Sequence, residues 1–436
     1  MDEYFQIDWS FIDKIGDNPF TAMWFFMANG GWIILIIFMI WALVKSWVVW
    51  RQNIYTAKKQ FVVLALDIPR THEQGPRAVE NMFSYLAGGH QSNTWTEQWI
   101  VGRTQDNISC EIISIDGQIQ FLIRTTRILR DLVEAAVYSQ YPDAEITEVE
   151  DYARKVPINY PDEEMDAYGF ELVPVKPDIY PLKTYTFFED KVSMEFKDPI
   201  SALLESFARL GPGEQAWFQM LIKPIDQKEF KKKGDLVVKK MTGQKVEPPR
   251  TILDKAVDFP LKTSGYVLEQ LVGMGAGETK AKKEEFPAMF RITPGERLVI
   301  EAIENKMSKI VYLCKIRFMY IAKKQVMSKP RIVNPFIGAI KQFNTNNLQS
   351  LKPETKKVGV NGALWFFKAQ RNNGRKKRLV MSYRNRSDWS GTKTFHMSTE
   401  ELATLWHFPH SLQVKTPQLK KTESKRSEPP SNIPFV

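Results

Sequence analysis

The hydrophobic pattern of this 436-residue chain is continuous near its start and periodic thereafter. Ala22 to Val44 is a 23-residue apolar run broken by Asn29, Gly30 and Gly31. A bilayer core of roughly 30 Å takes about 20 such residues as helix. Trp32 to Trp41 is apolar on every face, which a half-buried soluble helix is not. The pattern predicts a transmembrane helix within 21–50, with Trp24, Trp41, Trp47 and Trp50 as interface-seeking rings.

Past Gln60 the pattern alternates between strand and helix periods. Gln60–Ile68 reads as a strand, and Val79, Met82, Phe83 and Leu86 fall on one helical face that Gly88-Gly89 ends. Ile108, Cys110 and Ile112, then Ile119, Phe121 and Ile123, alternate on either side of Asp116-Gly117, which is a hairpin signature. A second helix carries Leu129, Leu132, Val133, Ala136 and Val137, and a strand covers Ala144–Val149. The order βαββαβ over 58–155 is that of a ferredoxin-like unit, with both helices on one face of the sheet and the other face free. The proline-rich stretch 156–181 reads as a connector.

A second unit of the same type is predicted over 182–350. Its elements are a strand at Thr184–Phe188, a helix at Pro199–Leu210 behind Asp198, and a strand at Trp217–Ile225. They continue with a helix opened by Thr293-Pro294-Gly295-Glu296, a strand at Val311–Ala322 and a helix at Ile332–Phe343. Residues 228–290 are poorly patterned and read as an insertion. Residues 351–410 form a basic C-terminal segment with a short apolar helix at Thr399–Trp406, and 411–436 a polar tail, extended or disordered. The fold class expected is α+β: one transmembrane helix followed by two ferredoxin-like cytoplasmic domains.

Charge gives this picture a direction. Lys14 alone precedes the apolar run, among Asp2, Glu3, Asp8, Asp13 and Asp17, whereas Lys45, Arg51, Lys58 and Lys59 follow it. A secretory signal starts basic and ends at a small-residue cleavage site, and neither feature is present. Positive charge stays inside, so a short acidic segment, 1–20, is expected outside and the bulk of the chain in the cytoplasm, at the cell (inner) membrane. Two cysteines, Cys110 and Cys314, both in predicted strands, suit a reducing compartment.

No catalytic constellation is legible, and the expectation is a non-enzyme without metal or cofactor. Gly273 to Lys280 puts Glu278 where a phosphate loop needs glycine, and no apolar strand precedes it. His407 and His410 lie near His396 without an evident further ligand. Lys315-Ile316-Arg317 reads as ordinary strand alternation. The feature with a binding flavour is Lys368, Arg371, Arg375, Lys376, Lys377, Arg378, Arg384 and Arg386, with no acid between them and Trp365, Tyr383 and Trp389 close by. Cations among rings suit phosphates and bases, an acidic protein partner, or the anionic inner leaflet.

Leu132 to Ile146 resembles the second helix and last strand of an uncharacterised membrane-anchored bacterial family that accompanies type IV secretion and conjugative DNA-transfer ATPases of the FtsK/HerA class. Gly213–Gln219, Thr293–Glu296, Ser398–Pro409 and the ending Ser427–Pro434 resemble it too, in the same order. The resemblance implies a scaffold or adaptor of a type IV secretion-like translocation machine. Its partners would be a separate ring-forming ATPase and further copies of itself, in a homo-oligomer such as a hexameric ring. Residues 398–436 would dock onto the motor or a neighbour. The alternative is a membrane-tethered DNA-binding module.

Overall fold

The computed structural model describes residues 19–69, 74–188, 198–243, 293–360 and 366–409. The expected acidic start, the glycine-rich 273–280 stretch, Trp365, His410 and the tail 411–436 lie outside these. The chain divides into two compact units, 1–60 with 91–105, and 61–90 with 106–436.

In the first unit, helix α1 (Pro19–Phe26) leads through a π-helical turn, Met27–Gly31, into α2 (Trp32–Ala57). Among the described residues α2 is the one helix long and apolar enough to cross a membrane, and none of its 26 residues is buried.

The second unit is α+β, built on one antiparallel sheet of nine strands. These are β1 (Phe61–Asp67), β2 (Ile108–Ile115), β3 (Gln118–Thr126), β4 (Glu145–Val149), β5 (Met165–Pro174), β6 (Glu214–Pro224), β7 (Val311–Lys323), β8 (Leu351–Glu354) and β9 (Phe395–Ser398). Their spatial order is β4-β1-β3-β2-β6-β7-β5-β8, with β9 beside β7. The sheet is therefore continuous where two separate sheets were expected. β2 and β6 form the seam, in register from Ile108 opposite Ile222 to Ile115 opposite Gln215.

The first half has the elements read from sequence: α3 (Pro76–Leu86) between β1 and β2, the Asp116-Gly117 hairpin, and α4 (Arg130–Tyr138) before β4. Asp116 and Gly117 both have positive φ, 54° and 83°, which a tight hairpin turn demands. The second half departs from expectation at its start. Its first strand is β5, inside the stretch read as a connector, and Tyr185–Phe188 is a turn of 3-10 helix rather than a strand. There follow α5 (Ser201–Ala208), α6 (Gln227–Met241), α7 (Pro294–Ser308), α8 (Lys329–Lys341), α9 (Lys368–Arg384) and α10 (Thr399–Leu405). Helix α6 occupies part of the stretch read as unpatterned. It lies against α7 with no room for a side chain at Gly234: a Cβ there would meet the Met307 Sδ.

Even-numbered residues of β2, β6 and β7 face one side of the sheet. Ile112, Phe218 and Phe318 there join a core closed by α3, α4, α5, α8 and α10. The Phe336 ring of α8 stacks 4.0 Å from Phe318 and packs on Phe170, Phe207 and Phe218. Leu402, Leu405, Trp406 and Phe408 are buried in this core, which corrects the expectation that residues from 398 onward await a partner. Ser398 and Glu401 form a capping box that starts α10, and the Glu401 carboxylate also holds the buried Lys306 ammonium at 2.9 Å. The other face is covered as well, where an open face was expected: Trp217, Met319 and Ile321 pack with Tyr152, Leu379, Val380 and Tyr383.

Phe336→Ala should cost about 3–5 kcal/mol, the range for removing a buried aromatic ring. Denaturant unfolding should show the loss as a lower midpoint with an unchanged slope.

Candidate functional site

Odd-numbered strand positions place polar groups under the C-terminal segment. Glu111, Gln219, Arg317 and Glu171 are direct cross-strand neighbours on β2, β6, β7 and β5. All four are fully buried. The Arg317 Nε donates to the Glu171 Oε1 at 2.8 Å and its Nη1 to the Gln219 Oε1 at 3.1 Å. The Gln219 Nε2 donates to the Glu111 Oε1 at 3.0 Å.

The segment after α9 closes both ends of this row. Arg386 forks onto Glu111, Nε to Oε1 at 2.9 Å and Nη2 to Oε2 at 3.0 Å. It also forks onto Asp151, with Nη1 at 2.6 Å and Nη2 at 2.9 Å. Tyr152 donates its hydroxyl to the Glu111 Oε2 at 2.8 Å. At the far end the Thr392 backbone N–H and hydroxyl donate to Glu171 at 2.6 and 2.7 Å. Arg317 donates onward to the carbonyls of Ser387 and Ser390, and Lys315 to those of Asp388 and Ser390. Asp388 in turn accepts from the Lys223 Nζ at 2.9 Å.

Burial works against the Glu111 carboxylate, but the Arg386 charge and hydrogen bonds outweigh it, and its pKa lies below the ordinary value. Burial, helped by the Arg317 charge against the pull of Glu171, pushes the Lys315 ammonium down to about 8.

This network decides which of the eight basic residues can meet a partner. Arg386 is buried and internally paired, so it is withdrawn from the binding set. Lys376 pairs with Asp166, and the Arg375 Nη1 donates to the Gly359 carbonyl at 3.0 Å. Arg384 is half-buried, and Lys368, Arg371, Lys377 and Arg378 are exposed. Tyr383 cannot act as a stacking platform: it is buried on Trp217, with its hydroxyl 2.8 Å from that of Tyr152. Trp389 is 73% exposed, and Phe366 and Phe367 at the start of α9 are exposed too.

Lys377 and Arg378 border an open depression of about 420 Å³, with Gly374, Met381, Ser382, Asn385, Ser387 and Ser390. Its floor is rigid, because Ser382 donates to the Arg378 carbonyl and to the Ser390 hydroxyl, and Arg317 holds the Ser387 and Ser390 carbonyls from below. The first turn of α9 has no acid to offset the positive end of the helix, and Lys368 and Arg371 add to that field. The surface is suited to hold anions by charge and has no nucleophile–base pair in it. His407 is buried between the Ala403 carbonyl and Asp198, and His396 pairs with Asp178, which leaves neither poised as a metal ligand. No group of His, Cys, Asp or Glu among the described residues could hold a metal.

Of the apolar span's rings, Trp24, Trp41, Trp47 and Trp50 are all exposed. The buried row was missed in sequence because Lys315 and Arg317 have the spacing of a solvated strand face. The signal that could have found it was Glu111, Glu171, Lys315 and Arg317, charges on strands otherwise rich in apolar residues.

Arg386→Met strands the Glu111 charge and should cost about 3–5 kcal/mol, with part of the loss recovered by adding Glu111→Gln. The carboxylate's contribution is present above the ordinary pKa and is lost as pH falls through the depressed one. The deficit of Arg386→Met against wild type should therefore shrink in acid unfolding titrations. Lys315 behaves oppositely. Between about pH 8 and its ordinary pKa of 10.5 the unfolded chain binds more protons there, so unfolding free energy should rise with pH relative to Lys315→Met.

Among curated proteins nothing matches the chain. A family match covers residues 68–422, from the end of the first strand to beyond α10, and the chain belongs to the family described as a domain of unknown function (DUF8128).

Proposed function

We propose that this chain is a non-enzymatic, single-pass membrane scaffold. It would dock a separate ring-forming ATPase in a type IV secretion-like, conjugative translocation machine, with its own copies arranged about the same axis. The observation that carries the membrane part is α2, 26 residues without one buried side chain. Lys45, Arg51, Lys58 and Lys59 at its C-terminal flank favour a cytoplasmic location for the sheet. The sequence resemblance supports the machine, and the cationic face of α9 supports an acidic docking partner.

The two halves of the sheet support a finer reading of the fold. In chain order each runs strand, helix, strand, strand, helix, strand. The spatial orders are β4-β1-β3-β2 and β8-β5-β7-β6, the split-βαβ arrangement twice. On this reading they are two ferredoxin-like units fused edge to edge, the second carrying α6 and α7 between its middle strands.

The second reading is a tethered DNA-binding module, favoured by Lys368, Arg371, Lys377 and Arg378 beside the exposed Trp389. One variant tests both. Full-length chain with these four residues changed to Glu should bind the motor ATPase with an association rate lowered about tenfold or more at low salt. The difference should narrow at physiological ionic strength, where screening acts over about 8 Å. Wild-type capture of DNA with a steep salt dependence, and no capture of an ATPase, would move the assignment to the second reading.

A further inference from the structure

Residues 91–105 belong to the compact unit that contains α2, not to the sheet that they interrupt between α3 and β2. Their central turn, Glu97–Val101, is locally built. Glu97 accepts from the Thr94 backbone N–H at 2.8 Å, the Thr94 hydroxyl at 3.0 Å and the Arg103 guanidinium at 2.8 Å. The same hydrogen bonds lower the Glu97 pKa, that from the Thr94 backbone most. Gly102 closes the turn at φ +79°, where the Arg103 N–H returns to the Glu97 carbonyl.

This turn is fastened along the basic end of α2. The Lys45 Nζ lies 6.0 Å from the Trp41 ring and 5.9 Å from the Trp99 ring, between the two. The Arg51 Nε donates to the Ile100 carbonyl at 2.7 Å. Backbone touches backbone at Gly102, where a Cβ would fall 2.4 Å from the Arg51 carbonyl carbon. The Lys59 Nζ reaches the Thr104 carbonyl at 3.3 Å. The segment thus descends beside the helix from Lys45 to Lys59, about 21 Å of axis at 1.5 Å per residue.

The side chains it presents outward are apolar. Trp95 is 66% exposed, Ile100 55% and Val101 45%, and Trp95 stacks on Trp99 at 5.8 Å. They are continuous with the exposed apolar surface of α2, and Trp99 lies at the level of Lys45, one residue past the apolar run. Where α2 spans a bilayer, that level is the headgroup boundary, where tryptophan concentrates.

We propose that residues 94–101 form a second membrane contact, a tryptophan-bearing hook seated in the lipid interface beside the basic end of the span. The inference rests on the membrane reading of α2. The hook would set the tilt and rotation of the helix, as interfacial anchors do.

The test uses the full chain in phosphatidylcholine–phosphatidylglycerol vesicles. Cys110 and Cys314 are fully buried, so single cysteines placed by Trp95→Cys, Ile100→Cys and, in the span, Trp41→Cys can be labelled with an environment-sensitive dye. Each is quenched by aqueous iodide and by lipids bearing a nitroxide at shallow or deep chain positions. Both hook labels should be quenched most by the shallow nitroxide, and severalfold less by iodide than the free dye–cysteine adduct. The Trp41 label should respond to the lipid nitroxides and not to iodide. Hook labels as open to iodide as the free adduct, with Trp41 in lipid, would overturn the hook and leave the anchor standing. Hook labels shielded from both quenchers would also overturn it, because a protein surface would then cover the turn. A Trp41 label open to iodide would remove the anchor itself.

Discussion

The sheet is organised around a charge problem solved at its seam. Glu111, Gln219, Arg317 and Glu171 stand opposite one another on four adjacent strands, in a region closed to water. A buried ion without its partner destabilises by several kcal/mol, so the row is tolerable only when every member is satisfied. That requirement fixes register. A one-residue slip of β6 against β2 would turn Gln219 away from Glu111 and drive it into the phenylalanine core on the opposite face. The joining of the two halves and the satisfaction of the row are thus one constraint.

The same constraint extends to the segment that follows α9. Glu111 and Asp151 are answered by Arg386, and Glu171 by Arg317 and Thr392. The chain from Ser382 to Thr392 therefore has to lie across the odd-numbered face, and α9 is drawn down with it, burying Leu379, Val380 and Tyr383. A helix with seventeen residues and no acid has little electrostatic reason of its own to form. It is held by the apolar contacts of its second half and by the anchored segment beyond it, and its first turns project cations outward as a result.

Periodicity made the first half legible almost residue by residue, because each of its strands alternates and its hairpin carries Asp116-Gly117. The second half was harder for physical reasons. β5 is flanked by prolines, and its alternation is interrupted by Gly169, which is needed because a Cβ there would strike the Phe318 carbonyl oxygen at 2.5 Å. The 182–188 stretch has strand-like composition, but its N–H groups go to side chains of α10 instead: Leu182 to Glu401 and Tyr185 to Thr404. The short apolar helix at 399–405 looked like an exposed docking element only because the strand it completes, β9, is four residues long. For the candidate surface, charge was visible and its direction was not. Arg386 and Arg378 are indistinguishable in sequence, and only their partners separate a structural cation from an available one.

That separation changes what the cationic segment can do. The buried carboxylates of Glu111, Asp151, Glu171 and Asp388 are matched within the fold by Arg386, Arg317, Lys315 and Lys223. None of these cations is left over to attract a partner. The field outside α9 then comes from Lys368, Arg371, Lys377 and Arg378, a set spread over about 15 Å of helix at 1.5 Å per residue. This exceeds the screening length of about 8 Å at physiological ionic strength, so the two ends act largely independently. A compact anion would be held at one end only. A partner with acids or phosphates repeated along an extended surface could engage both ends, and it is this length, more than the number of charges, that selects among partners.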